Sequence, residues 1–494
     1  MPIDTPDPRT PVIVGVGQFL DRDSVAGEPI DLMVEAIRAA EADTTRSGAL
    51  ARTDVVAVVP TFSWRYRDPG ALIRDRIGAP DSATWYATVG GNTPQLLMNR
   101  LAGAISRGEL DQAVLCGGES GRTRRAAKRD GVTLDWSVQD ESVTPTWMDE
   151  TPFMMAGPGE LARSIVMPLQ AYPLFENAVW HQGGRSLDDH LRAVGELWAG
   201  FSRVAEANPF AWNRRSFTGE QITTPTDDNR MVGWPYTKRM VSNPDVNMSS
   251  AAIICSVERA RELGVPSDRW VFVHAGTDGR DRSMSERRDF HSSPAIGVAG
   301  NRALELAGVG IDDVTHVDLY SCYPSAVQLA VGELGVDPSR QLTVYGGLAF
   351  AGGPWNNPVG HAIASMVDVL RADPGSTGLV TANGGHVDKH SFGVYSTTPP
   401  AAGFRHDRPQ EQIDAVPGVE AVVDAEGPAH IETWTVMFDR DAAPERAHAA
   451  VRLPDGRRTW AVTSDGDSMR RMSDGSDLTG AEVVLGADGA MALV

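Results

Sequence analysis

The chain has 494 residues, 41% hydrophobic and 22% charged, with 50 Gly and 32 Pro, which is ordinary usage for a globular protein of two or three domains with a large core. Sixty-five acidic against 45 basic residues leave a formal charge of −20 and a pI near 5.0. Such a field repels nucleic acid and anionic bilayers and disfavours global nucleic-acid binding, while leaving room for a local basic patch that holds phosphates.

The opening, Met1 to Thr10, is polar and proline-rich with no basic-then-apolar layout. No apolar run approaches the ~20 residues of a membrane span. Pro11 to Gly17 then reads as a strand buried on both faces, and Ile30 to Ala42 has helical spacing. Further short apolar runs follow at Asp54 to Val59 and Thr84 to Val89. Strands alternating with helices predict an α/β fold with a largely parallel sheet.

A longer similarity links two distant stretches. Gly90-Gly91-Asn92 precedes a helical segment from Pro94 to Ser106, a turn at Arg107-Gly108 and the apolar run Ala113 to Gly118. Gly352-Gly353-Pro354 precedes a helical segment from His361 to Leu370, a turn at Pro374-Gly375 and the run Gly378 to Gly385. Both halves use glycine turn, helix, turn and strand in one order, which predicts a duplicated α/β unit. The interval is too long for a solenoid repeat.

Between the halves, residues 119–245 lack the strand rhythm and are rich in Trp, Met, Pro and Arg, so an irregular, mostly helical insertion is expected. Within it, Leu187 to Ala207 carries Leu191, Val194, Leu197, Trp198, Phe201 and Val204 along one helical face. The α/β pattern stops near Pro400. Residues 409–494 alternate in short runs, among them Ile431 to Phe438, Ala449 to Leu453 and Thr459 to Val462, with Asp-Gly turns at Asp455-Gly456 and Asp465-Gly466. These predict a small β-barrel-like or sandwich domain. The expected division is 10–118, 119–245, 246–400 and 409–494.

Three cysteines, Cys116, Cys255 and Cys322, share no close spacing. Neither a disulfide framework nor a zinc cluster is supported, and a reducing cytoplasm fits best. Gly15-Val16-Gly17 lacks the rest of a dinucleotide fingerprint, and no phosphate-binding lysine loop, metalloprotease motif or Gly-x-Ser-x-Gly is present. No metal site is expected.

The Pro11 to Gly17 opening, the duplicated halves, the insertion after Glu119, the strand ending Cys116-Gly-Gly-Glu119 and the stretch Asn247 to Cys255 together resemble the thiolase superfamily over residues 10 to 400. The extra β domain resembles that of the mycobacterial-type group called thiolase-like protein type 1. The resemblance implies duplicated βαβαβ halves in a layered core, with coenzyme A thioesters as substrates and no covalently bound cofactor. It further implies acyltransferase chemistry of the acetyl-CoA acetyltransferase class in lipid metabolism, and homodimerisation or a protein partner.

The family's reactive side chains are all replaced. A thiolase needs a cysteine at the helix N-terminus, where the thiolate is stabilised; here the turn reads Gly90-Gly-Asn-Thr-Pro-Gln95, with Thr93 its one hydroxyl. The oxyanion motif is replaced by Tyr320-Ser-Cys-Tyr-Pro324, the Gly-His-Pro histidine by Gly353, and the acid/base cysteine by Thr381. Ordinary thiolysis is therefore expected to be weak or absent. His361 follows Gly353 closely, and a packing role in its helix is set against a catalytic one.

After the second glycine pair comes His386-Val-Asp-Lys-His390. Imidazoles there suit acid/base work near neutral pH, against the plainer reading of an exposed charged loop. Under the family register, Tyr320, His386 and His390 are the expected catalytic residues in one cleft. Arg122, Arg124 and Arg125 are the expected contacts for coenzyme A phosphates, against a solvated helix face. Retro-aldol cleavage of a β-hydroxyacyl-CoA is the alternative reaction, and non-catalytic binding of coenzyme A or lipid, or a scaffold role, the alternative outside enzymology.

Overall fold

The computed structural model describes residues 6–23, 25, 27–149 and 155–494; the beginning of the proline-rich opening lies outside the described residues. Among the described residues the core sheet has 11 strands, nine of which build two halves. Inside the short edge strand Trp147–Met148, the first half runs inward as Ala83–Tyr86, Val55–Val58, Gln112–Ser120, Asn247–Ser256 and Pro11–Leu20. The second runs outward as Val271–Arg280, Lys389–Ser396, Thr377–Gly384 and His316–Asp318.

Strand senses repeat between the halves. Pro11–Leu20 is antiparallel to Asn247–Ser256, which is antiparallel to Gln112–Ser120, which is parallel to Val55–Val58. Val271–Arg280, Lys389–Ser396, Thr377–Gly384 and His316–Asp318 repeat that sequence of senses. The halves meet where Val12 pairs with Phe272 and Ile13 with Val271. The duplication read from the glycine turns is thus a duplication of topology. The expectation of a largely parallel sheet is corrected to a mixed one. Two strands enter against the βαβ direction: Asn247–Ser256 as the chain returns from the insertion, and Lys389–Ser396 through a hairpin.

The two repeated helices, Thr93–Ser106 and Pro358–Ala372, each touch strands of both halves. Twelve of fourteen residues of the first are buried, because it is covered all round, and its polar members bond to one another and to the strands. Gln95 donates to Asn99, Tyr395 donates to Gln95, and Asn99 reaches the Thr277 and Phe392 carbonyls. Helices Pro29–Asp43 and Pro294–Ala307 cover outer faces.

In the insertion, Leu187–Ala207 forms one helix, started by the Ser186 hydroxyl, which accepts from the Asp189 amide, with Asp188 and Asp189 in its first turn. Val194, Trp198, Phe201 and Ala205 face the core. Gly346, at φ 106°, lies against the Ala205 backbone so closely that no side chain would fit. The insertion thereby seats the turn that leads into the second glycine pair.

The C-terminal sheet runs Arg458–Thr463, Pro444–Arg452, Gly427–Phe438, Glu482–Leu485 and Met491–Leu493. A bridge between Val462 and Ala490 joins its ends. The insertion contributes to it: Gly233 pairs with Met437, and Trp180 and Trp234 pack on Trp434. Arg458, fully buried, holds Glu432 at 2.7 Å and donates to the carbonyls of Met284, Ser285 and Arg287 in the core. A buried guanidinium with this many acceptors is a clamp between the β domain and the loop after Val271–Arg280.

Candidate active site

The two glycine turns touch. A Cβ at Gly384 would fall 2.6 Å from Asn92 Oδ1 and 3.1 Å from the Gly91 nitrogen, and one at Gly91 would collide with the phenol oxygen of Tyr320. The turn after Ala83–Tyr86, the turn after Thr377–Gly384 and Tyr320, two residues after His316–Asp318, therefore meet at one point. That point is the N-terminus of helix Thr93–Ser106, where the helix dipole favours negative charge; the Thr93 amide is taken by the Gly90 carbonyl and Pro94 has none to offer. Asn92 makes no side-chain cap there.

Tyr320 is held by its backbone amide, which donates to Thr381 Oγ1 at 2.9 Å. Burial, with Cys322 and Tyr323 nearby, pushes its phenol well above the ordinary range. At neutral pH it is a hydrogen-bond donor and not a base. Tyr172, from the insertion helix Pro168–Gly183, stacks on Tyr323 at 4.4 Å, and its hydroxyl accepts from Asn383 Nδ2 at 3.0 Å. Asn383 Oδ1 and Asn92 Oδ1 are buried without partners.

The segment after the second glycine pair is not an exposed loop. His386, Lys389 and His390 are 1%, 7% and 2% exposed, and the last two open the strand Lys389–Ser396. His386 has no partner on either ring nitrogen, and burial holds its pKa down to about 4. It is a neutral imidazole with a free lone pair. His390 stands apart: Nε2 lies 3.5 Å from Asp281 Oδ2 and 3.3 Å from the Val387 carbonyl, and Asp281 also pairs with Arg287. Lys389 Nζ donates to the Val89 carbonyl beside the first turn, and burial lowers its pKa.

The candidate nucleophiles are committed elsewhere. Thr93 Oγ1 donates to the Thr88 carbonyl at 2.7 Å. Burial pushes the Cys322 thiol up to about 12, so its thiolate is absent at neutral pH. His361 is fully buried, stacked on Tyr345 and bonded to Gln18, with burial lowering its pKa to about 3; it packs.

Of the arginine cluster, Arg124 donates to the Phe62 carbonyl and Arg125 pairs with Asp245 at 3.2 Å, both being exposed. Arg122 lies over Trp212, whose amide bonds Ala351 beside the turn Gly352-Gly353. The helix Gly121–Asp130 is thus tied to the second half near its glycine pair.

Sequence reasoning missed Tyr172, Asn356 and Asn383. Asn356 bridges the halves by accepting from the Gly90 amide and donating to the Pro60 carbonyl. Asn383 lies inside the run Gly378 to Gly385 and Asn356 just past Gly352-Gly353-Pro354, at positions to which the family resemblance gives no role. Tyr172 has no local signal. Among the described residues no helix is long and apolar enough to cross a membrane.

Residues 409–490 match the family model of the thiolase-like protein type 1 additional C-terminal domain. The crystal structure of a monomeric SCP2-thiolase-like protein type 1 from Mycobacterium smegmatis is 34% identical, covering 99% of this chain and 100% of that one, with a TM-score of 0.85. The Ltp2-ChsH2(DUF35) aldolase (18% identity, 79% and 98% covered, TM-score 0.60) shares the fold. So does the dimeric peroxisomal thiolase of Saccharomyces cerevisiae (14%, 79% and 98%, 0.55). By its fold, its additional domain and a likeness that spans nearly the whole of both chains, this protein belongs to the SCP2-thiolase-like protein type 1 family.

Proposed function

We propose that the meeting point of the two glycine turns binds an acyl-CoA thioester and acts on it without an acyl-enzyme, by retro-aldol cleavage of a β-hydroxyacyl-CoA. The observation that carries this reading is the Tyr320 phenol against Gly91 at a helix N-terminus where no reactive thiol stands. In this reaction the base takes the β-hydroxyl proton, the Cα–Cβ bond breaks, and its electron pair becomes the thioester enolate. Protonation at Cα then releases a shorter acyl-CoA and a carbonyl compound.

Tyr320, a donor at neutral pH, serves the thioester oxygen as charge develops on it, aided by the dipole of helix Thr93–Ser106. His386, neutral with an open lone pair, serves as the base and returns the proton. His390 drops out of the proton path because Asp281 holds it. The exposed guanidinium groups of Arg124 and Arg125 suit the coenzyme A phosphates. The fold neighbour named as an aldolase gives the reaction class a precedent on this architecture.

Binding of an acyl-CoA without turnover is the second reading, favoured by the burial of Tyr320 and His386. We infer that the chain is a monomer, as its Mycobacterium smegmatis relative is described. Incubation with β-hydroxyacyl-CoA and with acetoacetyl-CoA plus CoA, followed by mass spectrometry, separates the outcomes. Cleavage of the first alone supports the proposal; thiolysis of the second, or no turnover of either, refutes it.

A further inference from the structure

A cavity of about 1200 Å³ lies between helix Leu187–Ala207, helix Pro324–Leu334, the loop through Val344 and helix Pro358–Ala372. None of Tyr320, His386 and His390 lines it. Ligand sites span about 300–1,000 Å³ and combine apolar walls with a few placed polar groups, so this space exceeds what a side-chain packing defect would leave. Its walls include Val194, Leu197, Phe201, Val331, Leu342 and Val344. The amphipathic helix has more apolar surface than its partners cover: Leu191, Leu197 and Val204 remain partly exposed while Val194, Trp198 and Phe201 are buried.

Charge in this cavity runs against the rest of the molecule. In a chain of net charge −20, three guanidinium groups line it, Arg185, Arg203 and Arg340, and among the described residues none of them has an ion pair. Arg340 spends its donors on the carbonyls of Ile311, Val314 and Thr315, and the acid its charge reaches, Asp337, is not on the lining. Of the two acids on the lining, Asp368 lies 4.0 Å from Arg371 and Glu196 is exposed. Gln18 and Ser365, both buried and 3.5 Å apart, supply further polar contacts on the lining. Apolar walls with unpaired guanidinium groups match one ligand chemistry, an alkyl chain ending in a carboxylate, since guanidinium pairs with carboxylate in a two-point hydrogen bond.

We propose that this cavity is a second binding site, for the free anion of a long-chain fatty acid, separate from the glycine-turn site. Calorimetric titration with decanoate, dodecanoate and tetradecanoate, each below its micelle concentration, tests it. The expected result is saturable one-to-one binding that tightens about tenfold for each added pair of methylenes.

Two variants place the ligand. A Cβ at Gly200 meets only the far end of Arg203, at 3.7 Å, so Gly200→Phe is tolerated by the helix while filling the cavity, and it is expected to weaken tetradecanoate binding at least tenfold. Arg185→Glu with Arg203→Glu, both on exposed side chains, is expected to weaken tetradecanoate about tenfold and leave tetradecanol unaffected. Circular dichroism confirms that each variant is folded. No saturable binding, binding untouched by Gly200→Phe, tetradecanol binding as tightly as tetradecanoate, or a dimer that Gly200→Phe dissolves would each overturn the proposal. Coenzyme A displacing the fatty acid would show one site in place of two and would also overturn it.

Discussion

The Tyr320 phenol oxygen occupies the space that a Cβ at Gly91 would need, although 229 positions of sequence separate the two. This contact joins the halves of the duplicated core at the N-terminus of helix Thr93–Ser106. Gly91→Ala should therefore cost about 1–3 kcal/mol through overpacking against the phenol and the Asn383 carbonyl. Tyr320→Phe in the same chain should recover part of that loss. Urea denaturation of the two single variants and the double variant measures the coupling.

His386 should behave as a residue kept at the expense of stability. Both its ring nitrogens are buried without partners, so His386→Leu removes no hydrogen bond and should raise stability by about 1–2 kcal/mol. The same change should lower cleavage of a β-hydroxyacyl-CoA by about a hundredfold. Thermal denaturation and turnover are read on the same sample.

Acid should destabilise the protein through its buried histidines. An imidazole in the unfolded chain titrates near 6.5, whereas burial holds His386 to about 4 and His361 to about 3. Below pH 6.5 the unfolded chain takes up protons that the folded one refuses, so stability present at pH 7 is lost as pH falls from 6.5 toward 4. His386 accounts for about 3 kcal/mol of this loss. The pH dependence of the unfolding free energy should be shallower over that range in His386→Leu.

Arg458 should be the most sensitive position of the C-terminal domain. Arg458→Met leaves the Glu432 carboxylate to Arg452 and takes a buried donor from the Met284, Ser285 and Arg287 carbonyls, with an expected loss of about 3 kcal/mol. Its neighbour Arg457 pairs with Asp455 on the surface, with side chains 41% and 52% exposed, and Arg457→Ala should leave the unfolding temperature unchanged. Calorimetric unfolding of the two variants tests the contrast.

Much of this architecture is legible in the sequence because short-range physics writes it there. Helix Leu187–Ala207 follows from its 3.6-residue apolar period, and the duplicated core from glycine turns that only close backbone approach requires. Pairings between distant elements leave no such mark. His390 reads as a free imidazole until Asp281, 109 residues earlier, is found beside it. The strand Met231–Gly233 is too short to show alternation, yet it joins the C-terminal sheet. Arg458 sits at the end of an Asp-Gly turn region that reads as surface, and becomes buried because the core presents a ring of carbonyls to it.

We propose that Tyr320, and no thiol, carries the chemistry at the joined turns. The direct measurement is turnover of a β-hydroxyacyl-CoA by the native chain, Tyr320→Phe and Cys322→Ala in parallel, with products and any covalent adduct followed by mass spectrometry. The predicted result is cleavage by the native chain and by Cys322→Ala, a fall of about a hundredfold or more in Tyr320→Phe, and no acyl adduct. Undiminished cleavage by Tyr320→Phe, or an acylated protein that disappears in Cys322→Ala, would contradict it.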